Sequence, residues 1–113
     1  MFENAPTEIS LQDLKSSLAS PQPPIVAEIL GPAYFAQGHL PGAVNLPLEG
    51  FAESAARLLP DKAADIVVYC ASQTCQNSDI AQRKLQSLGY CNVRVFKGGK
   101  AAWSAAGQPL IAA

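Results

Sequence analysis

An apolar run, Val67-Val68-Tyr69, ends on the thiol of Cys70, and a second thiol, Cys75, follows across the small polar residues Ala71-Ser72-Gln73-Thr74. Gln76, Asn77, Ser78 and Asp79 come next, a composition that starts helices. A thiol attacks only as its thiolate, and the unpaired N–H groups at a helix N-terminus favour that anion, lowering its pKa below the free value of about 8.5. Cys70 is therefore the candidate nucleophile. If residues 72–77 curl around it, their amides form a concavity that holds the thiolate or an anion bonded to it. On this reading Ala71, Ser72, Gln73, Thr74, Gln76 and Asn77 are the substrate-binding residues. The short side chains of Ala71 and Ser72 let backbone approach the sulfur closely.

Cys75 has two readings. As a second catalytic thiol it resolves an oxidised or sulfur-bearing Cys70 by forming a disulfide; as filler it merely occupies a tight loop. Disulfide closure requires Cα atoms within about 7 Å, which a curled loop allows and an extended one does not. Cys91, in a turn after Gly89-Tyr90, reads as a bystander. His39 carries the side chain that titrates near neutrality, but its place in Gly38-His39-Leu40-Pro41-Gly42 fits a ring that bonds backbone and shapes a turn. Trp103 reads as core and Arg83 as surface. Lys97 and Lys100 flank Gly98-Gly99, where either is placed to bind an anionic donor, although such lysines are usually solvated. One histidine and no Cys-x-x-Cys pair exclude a four-ligand zinc site, and no metal or cofactor is expected.

These groups need strands and helices to position them. Ile66 to Tyr69 shows no polar alternation, as a strand covered on both faces would not. Ser78 to Leu88 reads as a helix capped by Asn77 or Ser78, with Asp79 in its positive first turn and Gly89 as terminator. Upstream, Ser10 caps a helix that aligns Leu11, Leu14 and Leu18, and Pro21-Gln22-Pro23-Pro24 forms a connector. Ile25 to Leu30 and Ala43 to Leu46 are strands, ended by Gly31-Pro32 and Pro47. Glu49 to Leu59 is a helix with Phe51, Ala55 and Leu58 or Leu59 inward. Val93 to Phe96 is a strand, and Lys100 to Ala106 a short helix. Alternating strands and helices imply a mainly parallel sheet, whose ligands gather at the carboxyl ends of its strands, where Cys70 stands.

The 113 residues fit one domain, 1–113, with a single core. A 49% hydrophobic and 15% charged composition is that of a globular protein, and no apolar run approaches the roughly 20 residues of a membrane span. Eight basic residues against nine acidic ones leave a charge of -1, so no field draws nucleic acid or a membrane surface. Small molecules or proteins are the expected partners. Met1 to Glu8 lacks the basic and apolar segments of a secretory signal, from which a cytoplasmic setting is expected. Three cysteines, an odd number, argue against a disulfide framework.

Gly38-His-Leu-Pro-Gly-Ala-Val-Asn-Leu-Pro47, Val67-Val-Tyr-Cys70, and Gly98-Gly-Lys-Ala-Ala-Trp103 with Gly107-Gln-Pro109 together resemble the rhodanese-like family, in order and over nearly the whole chain. The resemblance implies an α/β three-layer sandwich with a central, mainly parallel sheet of about five strands flanked by helices. It also implies a cysteine that carries sulfane sulfur as a persulfide. The chain departs from the family pattern in two places. The family's usual active loop is shorter and ends in an arginine, whereas Cys70 to Asn77 contains no Arg or Lys; and the strand usually written Asp-Val-Arg is here Glu28-Ile29-Leu30. The longer loop with a second cysteine resembles a subgroup of the family.

Four functions compete. The first is a sulfurtransferase that loads Cys70 from a small donor such as thiosulfate or a persulfide and passes the sulfur to a thiophilic acceptor. The second is a redox module in which Cys70 and Cys75 form a reversible disulfide, with a thiol protein as partner. A phosphatase or arsenate reductase needs an arginine where Gln76 stands, to clamp an oxyanion bidentately. The last is a non-catalytic protein-interaction domain, which the uncharged loop keeps open.

Overall fold

The computed structural model describes residues 7–112. Four short strands, β1 (Ile25–Glu28), β2 (Val44–Asn45), β3 (Ile66–Tyr69) and β4 (Val93–Phe96), form one sheet in the order β2-β1-β3-β4. Every pairing is parallel. Helices α1 (Leu11–Leu18), α2 (Pro32–Gln37), α3 (Phe51–Leu58), α4 (Asn77–Ser87) and α5 (Gly99–Ala105) connect and cover it.

β3 is central and wholly buried because both faces of the sheet are packed. Val67 and Tyr69 point to one side, into a cluster with Leu14, Leu40, Phe96 and Trp103. Ile66 and Val68 point to the other, among Phe51, Ala55, Leu85 and Val93. The period-two alternation of a strand thus feeds two separate cores, each such side chain contributing about 1.5–3 kcal/mol on burial. Helices lie on both sides, so the three-layer α/β arrangement expected from the sequence is present.

The sheet has four strands among the described residues, not the five expected. Where a fifth would lie beside β4, only a single parallel bridge forms, Glu8 to Val95, with Ile9 N–H donating to the Val95 carbonyl at 2.9 Å and Val95 N–H to that of Thr7 at 2.8 Å. Ser10 then turns the chain into α1, its hydroxyl accepting the Asp13 N–H at 3.1 Å, so pairing cannot continue past Ile9. α2 is absent from the sequence reading. Pro32, taken there as the end of a strand, occupies the first helical turn, where its fixed φ and missing N–H are tolerated.

Candidate active site

The carboxyl ends of the parallel strands converge on one edge of the sheet. In register, Glu28 pairs with Tyr69 and Tyr69 with Phe96, so Leu30, Cys70 and Lys97 all leave the sheet close together. Cys70 directly follows β3. Since Tyr69 faces the α1–α5 side, alternation turns Cys70 to the opposite side, toward the start of α4.

Cys70 is 1% exposed, yet its surroundings are not hydrocarbon alone. Its Sγ lies 3.4 Å from the Cys75 carbonyl oxygen and 3.6 Å from Ser78 Oγ. Burial, followed by its hydrogen bond to the Cys75 side chain, pushes the Cys70 thiol up, while the hydroxyl and amide of Ser78 pull the other way. At Cys75 burial also opposes the anion. The hydrogen bond from Cys70, the amides of Asn77 and Ala71 and the charge of Lys97 together outweigh it, so that thiol lies below the ordinary range. Of the two thiols, Cys75 is therefore the more acidic and Cys70 the less. This differs from the sequence expectation of amides gathered on Cys70, because the loop folds back far enough to divide its N–H groups between two sulfurs.

The remaining candidates surround this pair unequally. Cys75 N–H donates to the Ser72 carbonyl at 3.1 Å, and the Ser72 and Thr74 hydroxyls meet at 3.1 Å, which curls the loop. Ala71, Gln73, Thr74 and Gln76 are exposed on its outer side. Asn77 and Ser78, the two cap candidates, do not cap α4: Asn77 Nδ2 donates to the Ile29 carbonyl at 3.0 Å and Ser78 turns to Cys70, leaving Gln76 as an N-cap without a side-chain bond.

From the other side, α5 grips the backbone of the nucleophile. The N–H groups of Lys100 and Ala101 donate to the carbonyls of Cys70 and Ala71 at 3.1 and 3.0 Å. Gly99 has φ +60, and a Cβ placed there would lie 2.3 Å from the Cys70 oxygen, so only glycine permits the approach. Beneath it, the buried Glu28 accepts from Tyr69 Oη at 2.7 Å, and Lys100 Nζ lies 3.1 Å from its Oε2 as an ion pair outside hydrogen-bond geometry. Tyr69 Oη also accepts from Leu40 N–H at 3.0 Å. Burial raises the Tyr69 pKa far above its usual value. Sequence reasoning missed Ser78 as a sulfur partner, the Lys97–Asp79 pair and this Glu28–Tyr69–Lys100 cluster. Each joins residues whose proximity depends on strand register, and only the double glycine carried a local signal.

The other singled-out side chains lie outside the pair. His39 Nδ1 is 2.9 Å from the Phe35 carbonyl and its ring stacks on that of Phe35, while Trp103 Nε1 donates to the Pro109 carbonyl at 2.8 Å. Cys91 is exposed, its thiol 3.6 Å from the Lys62 carbonyl. A cavity of about 520 Å³ between Val26, Pro24, Trp103 and Pro109 lies at the opposite end of the sheet, apart from both sulfurs. No group of three or more metal-ligating side chains comes together among the described residues.

A parallel sheet with a cysteine at the end of a central strand, followed by a polar loop and a helix, defines an α/β domain with a thiol at the carboxyl edge of its sheet. The sequence pattern of the rhodanese-like domain matches residues 10–106, and the chain belongs to that family. It is 32% identical over 105 residues to a sulfurtransferase of Allochromatium vinosum, covering 93% of this chain and 94% of that protein. It is 36% identical over 69 residues to the thiosulfate sulfurtransferase PspE of Escherichia coli, covering 61% and 64%. The crystal structure of the Alr3790 protein from Anabaena superposes with a TM-score of 0.82 at 31% identity, over 92% of this chain and 91% of that one. No helix among the described residues is long and apolar enough to cross a membrane.

Proposed function

We propose that the protein is a sulfurtransferase that carries sulfane sulfur as a persulfide on Cys70, within the family subgroup whose longer loop holds a second cysteine. The observation that supports it most directly is the Cys70 thiol at the carboxyl end of β3, its Sγ 3.4 Å from the Cys75 carbonyl oxygen and 3.6 Å from Ser78 Oγ. Kinship to the A. vinosum and E. coli sulfurtransferases supports the reaction class.

In the reading we favour, Cys70 loses its proton to solvent as the donor arrives. Cys70 thiolate then attacks the outer sulfur of thiosulfate; the S–S bond of the donor breaks, and sulfite leaves with its electron pair. Cys70 is left as a persulfide anion, which the Ser78 hydroxyl and amide are placed to stabilise. An acceptor thiolate attacks the terminal sulfur and Cys70 leaves as thiolate. No metal or cofactor enters these steps. Ala71, Ser72, Gln73, Thr74, Gln76 and Asn77 form the rim over which the donor enters. The three free thiols fit a reducing, cytoplasmic setting.

Intact-mass measurement after thiosulfate treatment tests this. The parent gains one sulfur atom, Cys70→Ser gains none, and Cys75→Ser still loads. Equal loading of Cys70→Ser and the parent would overturn the assignment. A second reading, a redox module cycling through a Cys70–Cys75 disulfide, is favoured by the approach of Cys70 Sγ to within 3.4 Å of the Cys75 carbonyl. It predicts instead no sulfur adduct and, on treatment with a mild oxidant, a reversible loss of two hydrogen atoms, their electrons passing to the oxidant, that Cys75→Ser abolishes.

A further inference from the structure

The loop contains no cation, yet a sulfur donor such as thiosulfate is an anion, and something must attract it. We propose that Lys97 is the donor-binding cation of the Cys70–Cys75 site, held by Asp79 until an anionic sulfur donor takes its place; this rests on the sulfurtransferase reading for its physiological meaning. Lys97 follows Phe96 as Cys70 follows Tyr69, and Tyr69 and Phe96 are register partners in neighbouring strands, which run about 4.8 Å apart. Both side chains of the register pair face the α1–α5 core, so Cys70 and Lys97 turn together toward α4. There Cys70 meets Ser78 and Lys97 meets the next residue, Asp79, at 2.6 Å.

Lys97 and Lys100 are separated by their partners. Lys100 is 16% exposed, joined to the fully buried Glu28 and donating to the Tyr34 carbonyl at 2.8 Å, so releasing it would strand a buried carboxylate. Lys97 and Asp79 are 30% and 31% exposed. Partly solvated pairs of this kind contribute little and exchange partners readily. Asp79 also lies in the first turn of α4, where the helix N-terminus favours its charge without Lys97. A dianionic donor outcompetes a single carboxylate for the ammonium, and the displaced Asp79 keeps its helix. Glu8 is a further acidic neighbour of Lys97, so the cation is surrounded by weaker rivals.

Two measurements on the full chain test the proposal, and only one requires turnover. The ratio of alkylation rates with anionic iodoacetate and neutral iodoacetamide, read by mass at Cys70 and Cys75, reports a cation beside the sulfurs. Lys97→Gln lowers this ratio several-fold, Lys97→Arg keeps it, and Asp79→Asn raises it by freeing the lysine. In thiosulfate:cyanide turnover, Lys97→Gln raises the KM for thiosulfate about tenfold, as loss of one charge-assisted hydrogen bond does, with a smaller change in kcat. Asp79→Asn lowers that KM. An unchanged ratio in both Lys97→Gln and Asp79→Asn overturns the proposal. A parent that shows the ratio effects but never loads sulfur overturns the sulfurtransferase reading and leaves Lys97 as the anion site.

Discussion

Two thiols in contact titrate as a pair, and their environments decide which keeps the proton. Cys75, with two amides and a lysine near it, ionises first; Cys70, buried and donating to Cys75, ionises last. A thiol below its usual pKa becomes a nucleophile at lower pH, so iodoacetamide should modify Cys75 as pH rises from 6, before Cys70 reacts. Cys75→Ser removes the thiol that helps to hold the Cys70 pKa up and should shift Cys70 alkylation toward lower pH. Peptide-resolved mass spectrometry across the titration reads both, and Cys70 reacting first would refute the ordering. The place of Cys70 at the end of a buried strand was legible in the sequence, because an apolar run ending on a thiol before polar residues is a local pattern. The division of amides between two sulfurs was not, since it depends on how tightly the loop closes.

Strands and helices set the nucleophile through backbone more than through side chains. α5 donates two N–H groups to Cys70 and Ala71, and the approach exists because Gly99 has no Cβ. Gly99→Ala forces the helix away from the Cys70 carbonyl and strains a left-handed residue. It should destabilise the fold by about 1–3 kcal/mol and slow sulfur loading, whereas Gly107→Ala strains its own left-handed φ of +77 but meets no atom within 4 Å, so it should cost less stability and leave loading unchanged. Thermal denaturation with loading assays separates the two. The pair Gly98-Gly99 could be read as a break between strand and helix, but the reason for glycine lies in a carbonyl about thirty residues earlier in the chain, invisible to any local rule. For the same reason the caps of α4 were misassigned: Asn77 and Ser78 have the right chemistry, and tertiary partners claim them. Among the described residues pairing beside β4 ends at Ile9 for a local cause, the Ser10 cap that turns the chain into α1.

At the scale of the whole molecule, the order β2-β1-β3-β4 gathers three strand ends around Cys70 and leaves the cavity by Trp103 at the other end. Alternating strands and helices made the parallel sheet and its active edge legible; strand order was not, because it is fixed by which hydrophobic faces meet. The central position of β3 has a further consequence. Its amides bond to strands on both sides and should exchange with deuterium only when the sheet opens, while those of 71–76 exchange early. Deuterium uptake followed by mass spectrometry would then find the boundary between slow and fast exchange running between Cys70 and Cys75. One would belong to the anchored framework and the other to a segment that opens on its own, so that the two cysteines part without unfolding anything else; uniformly slow exchange across 66–76 would refute this.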